Sequence, residues 1–261
     1  MPMAGPLDRF PLWLLFGVTV VFLLLAVEVG YRLGTYRVRR SQQELGAHVL
    51  ALVTTTMGLL ALVLAFTFSL AATRFDARKQ IVVDEANAIE TTYLRAGLLP
   101  GDRGAKVRED LRDYVKLCLE VPGLDDIEQT LRRSEELHRE LWREAEAAGR
   151  DQPSSNVVAL FIESLNRTIE LYAVRVKVAV RSGIPVVLWA ALFAVAVLSL
   201  LAVGYHAGLV ETRRSPAVAT LVMSLSLVLL LTADLDRPQE GALRVSQQAM
   251  IDLQRTIGED R

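Results

Sequence analysis

The chain has 261 residues, 52% of them hydrophobic, and its 29 basic and 30 acidic side chains leave a formal net charge of −1. The apolar residues gather in long blocks with the charge between them, the pattern of a membrane protein with a polar extramembrane part. No stretch carries the basic excess that a phosphate backbone requires, which excludes nucleic acid as an expected partner, and the single cysteine, Cys118, can form no internal disulfide.

In chain order, the first element is "PLWLLFGVTVVFLLLAVEVGY", 11–31. A bilayer core about 30 Å thick needs roughly 20 apolar helical residues, and this segment meets that length. It lacks a small-residue cleavage site before the arginines of 32–40, so it is expected to be a retained span rather than a signal peptide. Glu28 is the only charged residue inside it, and Arg32 follows four residues on. The two read as a snorkelling interfacial pair or, alternatively, as an ion-binding carboxylate with its counter-charge.

The second span, 47–73, carries Thr54, Gly58, Ala61, Ala65, Ser69 and Ala72 at helical spacing. Such a small-residue stripe suits close helix packing in lipid or the lining of a polar path, with large neighbours as a constriction. Beyond it Phe75, Val82, Ala86, Ile89 and Tyr93 keep a helical period, which predicts that the span continues as one helix to about Leu98. "LLPGDRG" then turns the chain. A helix with Val107, Leu111, Val115 and Cys118 on one face follows, and then one with Ile127, Leu131, Ser134, Leu137 and Leu141 that stops at Gly149. Ser154 or Ser155 is placed to cap a further helix bearing Val158, Ile162, Leu165, Ile169 and Tyr172.

The third span is 184–205 and the fourth 216–233, with Pro216 suited to a first helical turn. After Asp234 and Asp236, Pro238 and Gly241 are expected to stop the helix, leaving a polar tail whose Leu243, Val245, Met250, Ile251 and Leu253 are spaced loosely for packing along the soluble helices. The expected fold is all-α and polytopic, with four transmembrane helices. It divides into a first transmembrane pair 1–73, a helical extramembrane block 74–183, a second pair 184–233 and a tail 234–261.

His48, His138 and His206 are scattered without metal-ligand spacing, and no G-x-S-x-G, Walker loop or H-E-x-x-H occurs. "GDRGAK", 101–106, reads as a turn. No metal, cofactor or enzymatic activity is expected. Four spans put the amino terminus, the 74–183 block and the tail on one side of the membrane. The arginines of the two short loops and the basic residues of the opposite flanks point in opposing directions under the positive-inside rule. Parity also brings the end of the second span to the face where the fourth ends, so Arg74 and Arg78 can meet Asp234 and Asp236. These charges form a latch between the spans or simply mark two solvated helix ends.

"FSLAATRFDARKQIVVDEANAI", 68–89, resembles the bestrophin pattern in which a pore-lining span runs through an arginine and an aromatic into a polar helix. "LDRPQEG", 235–241, resembles the segment after the last bestrophin span, and the two-plus-two order makes the whole chain look like the bacterial bestrophin-like membrane family. The resemblance implies a homopentameric ion channel of the inner (plasma) membrane, with lipid and inorganic ions as partners and with termini and helical block in the cytoplasm. It places Gly58, Leu62 and Phe66 at the apolar neck; Leu62 and Phe66 suit a hydrophobic gate, whereas Gly58 has no side chain to narrow a pore. The consecutive acids of the animal calcium clasp are here interrupted, with Asp234, Asp236 and Glu240 separated by Leu235, Arg237 and Pro238. A non-conducting scaffold or sensor, using the helical block to bind a partner, is the alternative.

Overall fold

The computed structural model describes residues 11–40, 46–120, 127–181, 183–210, 216–237, 243 and 245–259. The expectations resting on Pro238, Glu240 and Gly241 lie outside them. Among the described residues the chain is all helix: α1 Leu12–Arg39, α2 Gly46–Ala96, α3 Arg103–Leu119, α4 Ile127–Asp151, α5 Asn156–Arg181, α6 Val186–Leu209, α7 Pro216–Asp236 and α8 Gln248–Glu259. Helices α1, α2, α6 and α7 are long and apolar enough to cross a membrane. The chain divides into two compact units, Met1–Phe75 with Val180–Arg244, and Asp76–Ala179 with Val245–Arg261.

The first unit is held together at the membrane-spanning helices, where α1 packs on α6 and α7. Its core combines Leu23 and Ala26 of α1, Leu60 and Ala71 of α2, Leu192, Ala196 and Leu200 of α6, and Val222, Leu225 and Leu229 of α7. Glycines set the α1–α6 distance. A Cβ built on Gly30 would lie 2.1 Å from the Leu201 carbonyl oxygen, and one on Gly204 would lie 2.1 Å from that of Val27. Gly34 and Gly208 repeat the arrangement one turn on, against Tyr205 and Tyr31. The contacts advance together along both helices, so α1 and α6 run parallel. Lipid tails are as apolar as leucine, which leaves close backbone approach through small residues as a main source of association. Ser199 of α6 adds a hydroxyl bond to the Thr56 carbonyl of α2 at 3.1 Å.

The second unit is a helical cluster around Ile89 and Tyr93 of α2, Val107, Leu111, Tyr114 and Val115 of α3, Leu141 of α4, and Phe161 and Leu165 of α5, all essentially inaccessible. The turn from α2 to α3 passes through Gly101 at φ 69°, a left-handed conformation that glycine adopts without cost. Ser155 caps α5, its hydroxyl accepting the Val158 N–H at 3.4 Å. The tail is more ordered than its loose spacing suggests: α8 inserts Met250, Leu253 and Ile257 into this core and packs on α3. Arg112 fixes its end by donating to the Ile257 carbonyl at 2.9 Å.

Candidate functional site

Helix α2 is buried on one side only within the first unit. Val53, Leu60, Thr67 and Ala71 face the core, whereas Thr54, Gly58, Ala61, Ala65 and Ser69 are exposed. Leu62 and Phe66, one turn apart, are 54% and 69% exposed, and nothing lies within 4 Å of a Cβ built on Gly58. The chain therefore does not use this small-residue stripe for its own helix packing; that task falls to the glycines of α1 and α6. The threonine hydroxyls along α2 bond back to their own helix. Thr54 donates to the Leu50 carbonyl at 3.0 Å, Thr55 to Ala51 at 2.9 Å and Thr73 to Ser69 at 2.8 Å.

At the end of the same stretch Arg74 Nη1 lies 3.8 Å from Asp236 Oδ1, within ion-pair range. Asp236 has a second task, since both its carboxylate oxygens accept the Ile184 N–H at 3.0 Å, just ahead of α6. One carboxylate at the end of α7 thus addresses both α2 and the approach to α6. Asp234 accepts the Leu243 N–H at 3.1 Å. Arg78 is buried within the second unit. Glu28 and Arg32 pair along α1 at 2.8 Å, with the arginine 76% exposed.

The second unit holds a buried polar cluster that the sequence did not announce. The Glu85 carboxylate is fully enclosed, 2.8 Å from Arg175 Nε, and accepts the Tyr114 hydroxyl at 2.6 Å. Arg175 Nη2 also donates to Cys118 Sγ at 3.4 Å. His138 lies between Tyr114 and Tyr172, with ring centroids 4.7 and 4.6 Å away. Burial raises the Glu85 carboxyl above the usual carboxylate range against the opposing pull of Arg175 and the Tyr114 hydroxyl. The Tyr114 phenol is held well above its usual value, chiefly by burial. Burial also pushes the Cys118 thiol up to about 12, which keeps it protonated and a poor nucleophile. Among the described residues no three His, Cys, Asp or Glu side chains converge as metal ligands.

His138 makes the second unit acid-sensitive. Burial, and then the charge of Arg175, lower its pKa from 6.5 to about 4. A folded-state pKa below the unfolded value means that the unfolded chain binds the proton more tightly. Stability is complete above pH 6.5 and declines as the pH falls toward about 4, by about 3 kcal/mol for this group. Protonation of Glu85 runs the other way, because its folded pKa is raised, and offsets part of the loss. Thermal melts of the purified protein between pH 7 and 4 should show this decline, and His138→Gln should flatten it; an unchanged slope in the variant would assign the acid sensitivity to other groups.

Four apolar spans, a helical unit inserted between the second and third, and a half-exposed second span define an all-α polytopic membrane protein. A family model for the bestrophin-like domain matches residues 17–250. The chain belongs to the bestrophin-like family and is a channel-related membrane protein. Among solved structures, a bacterial bestrophin homologue from Klebsiella pneumoniae matches with a TM-score of 0.68 at 14% identity, over 95% of this chain and 98% of that one. An aspartate-to-alanine variant of the Klebsiella pneumoniae homologue matches with a TM-score of 0.68 at 14% identity, over 95% and 97% of the two chains. A structure described as a membrane protein with a proline-to-alanine substitution matches with a TM-score of 0.69 at 12% identity, over 95% and 97%. No curated protein matches the sequence.

Proposed function

We propose that the protein is a homo-oligomeric ion channel of the inner membrane, with α2 of each copy lining the path. The uncovered face of α2 carries this reading. Its opposite face is packed into the chain's own core, while Thr54, Gly58, Ala61, Ala65 and Ser69 stay exposed together with Leu62 and Phe66. A ring of copies would turn that face inward, and family resemblance gives five as the number. Leu62 and Phe66 then form an apolar neck that gates by dewetting, with Gly58 one turn away leaving the path wide. Arg74 and Asp236 act as a latch that sets the angle of α2 against the fourth span, and Asp234 ties the end of that span to the Leu243 N–H. Glu28 and Arg32 serve as an interfacial pair. In this reading the termini and the 74–183 block are cytoplasmic, the tail 234–261 lies on the same side, and inorganic ions and membrane lipid are the partners.

The test is ion flux in proteoliposomes. Phe66→Ala should raise flux severalfold over the parent protein by widening the apolar constriction and easing its wetting. If neither protein conducts, although both form the same closed ring with α2 innermost, conduction is wrong and the helical block is better read as a scaffold for a partner.

A further inference from the structure

The end of α1 combines an uncovered apolar stripe with a cluster of arginines. Val18, Phe22, Leu25, Val29, Leu33 and Tyr36 succeed one another at intervals of three or four residues, each about half exposed. The other side of the helix, through Leu23, Ala26, Gly30 and Gly34, packs against the rest of the first unit. With 28 residues α1 is about 42 Å long, more than the roughly 30 Å of a bilayer core. About 20 residues from Leu12 cross the hydrocarbon, which places Arg32 and everything after it at headgroup depth. There the stripe ends on Tyr36, with the Arg40 guanidinium 4.8 Å from its ring centroid. Arg32, Arg37 and Arg39 are exposed on the same two turns, and Glu28 is the one acid on this helix.

The geometry points to a docking site for an anionic phospholipid, its phosphate held by Arg39 and Arg40 beside Tyr36, with Arg32 engaged by Glu28 at 2.8 Å, and an acyl chain lying along Val18, Phe22, Leu25 and Val29. Guanidinium forks match phosphate oxygens in geometry and charge, and a tyrosine is stable where an apolar ring meets a polar boundary. A zwitterionic headgroup brings its own cation into this cluster, which offsets the attraction of its phosphate; phosphatidylglycerol brings none. Each arginine near an anionic surface contributes about a fivefold gain in affinity. The site also gives the arginines after the first span a use other than setting topology, and it holds whichever leaflet they occupy.

The test uses the full-length protein in detergent micelles, titrated with phosphatidylglycerol or phosphatidylcholine and read by native mass spectrometry. Phosphatidylglycerol should bind at least about tenfold more tightly. Arg39→Gln with Arg40→Gln should remove most of that preference without changing oligomer size or melting temperature, and the corresponding double lysine variant should keep part of it. Equal affinity for the two lipids overturns the proposal, as does a preference that survives the glutamine variant, which would place the anionic lipid elsewhere. Displacement of bound phosphatidylglycerol by inorganic phosphate alone would make this a soluble-anion site instead. No lipid bound to the intact oligomer would mean that a neighbouring copy covers the stripe.

Discussion

Arg175→Ala is expected to destabilise the helical unit by about 3–5 kcal/mol, because it leaves a buried carboxylate without its counter-charge. Glu85 is fully enclosed and has Arg175 Nε at 2.8 Å. Removal of the arginine leaves the Tyr114 hydroxyl, among the described residues, as the side-chain donor to that carboxylate. Cys118 and the Tyr172 ring lose a neighbour as well, since the guanidinium donates to one and lies 5.8 Å from the centroid of the other. Melting followed by near-ultraviolet circular dichroism, together with limited proteolysis of the α2–α5 helices, should report the loss. Replacing the pair together with the phenol that serves it, Arg175→Leu with Glu85→Leu and Tyr114→Phe, should recover most of it, because the Tyr114 hydroxyl is then not left without its acceptor and apolar residues of similar volume often substitute for a buried pair without penalty. A single variant that melts within about 1 kcal/mol of the parent would show that water already reaches the pair.

The second large effect is expected at the α1–α6 contact. Gly204→Val places side-chain carbon where the Val27 carbonyl oxygen stands 2.1 Å from the built Cβ, and the obstruction is backbone, which cannot rotate away. The helices must separate, losing the matching contacts at Gly30, Gly34 and Gly208. Overpacking of this kind costs at least about 1–3 kcal/mol, and here the loss should appear as a lower melting temperature in detergent and a weakened oligomer. Gly17→Ala is the control: nothing lies within 4 Å of a Cβ built there, so it should be neutral or slightly stabilising through helix propensity. Equal behaviour of the two variants would show that close approach at Gly204 does not hold α1 to α6.

The spans were legible because the bilayer imposes a length of apolar sequence that few soluble helices reach. The soluble helices were legible from period alone, and residues such as Ile89, Val107, Leu111 and Leu165 are buried as their spacing predicts. Helix ends were less so: α2 stops at Ala96 rather than Leu98, and α4 runs past Gly149 to Asp151. The packing of the tail along the soluble helices is legible in Met250 and Leu253, but the helix α8 itself is not, because the apolar residues of "ALRVSQQAMIDL" include Leu243 and Val245, which lie outside it and obscure its period. The glycine contact carries a sequence signal, G-x-x-x-G at 30–34 and again at 204–208. The Glu85–Arg175 pair had none. Glu85 sits in a charged run and Arg175 in an alternation of valines and bases, and nothing local says that two such charges meet in a core.

The exposed face of α2 carries threonines whose hydroxyl protons are committed to the helix itself. Thr54, Thr55 and Thr73 donate their hydroxyl protons to carbonyls of their own helix, and the bond is local and weak. Valine at any of these positions would keep the shape and strand no buried donor, so the fold itself is indifferent to the oxygen. What the oxygen still offers is acceptor capacity on an exposed residue. The face is thus chemically one-sided at these residues: it can receive a hydrogen bond or a positive partner, and it has no hydroxyl proton left to give.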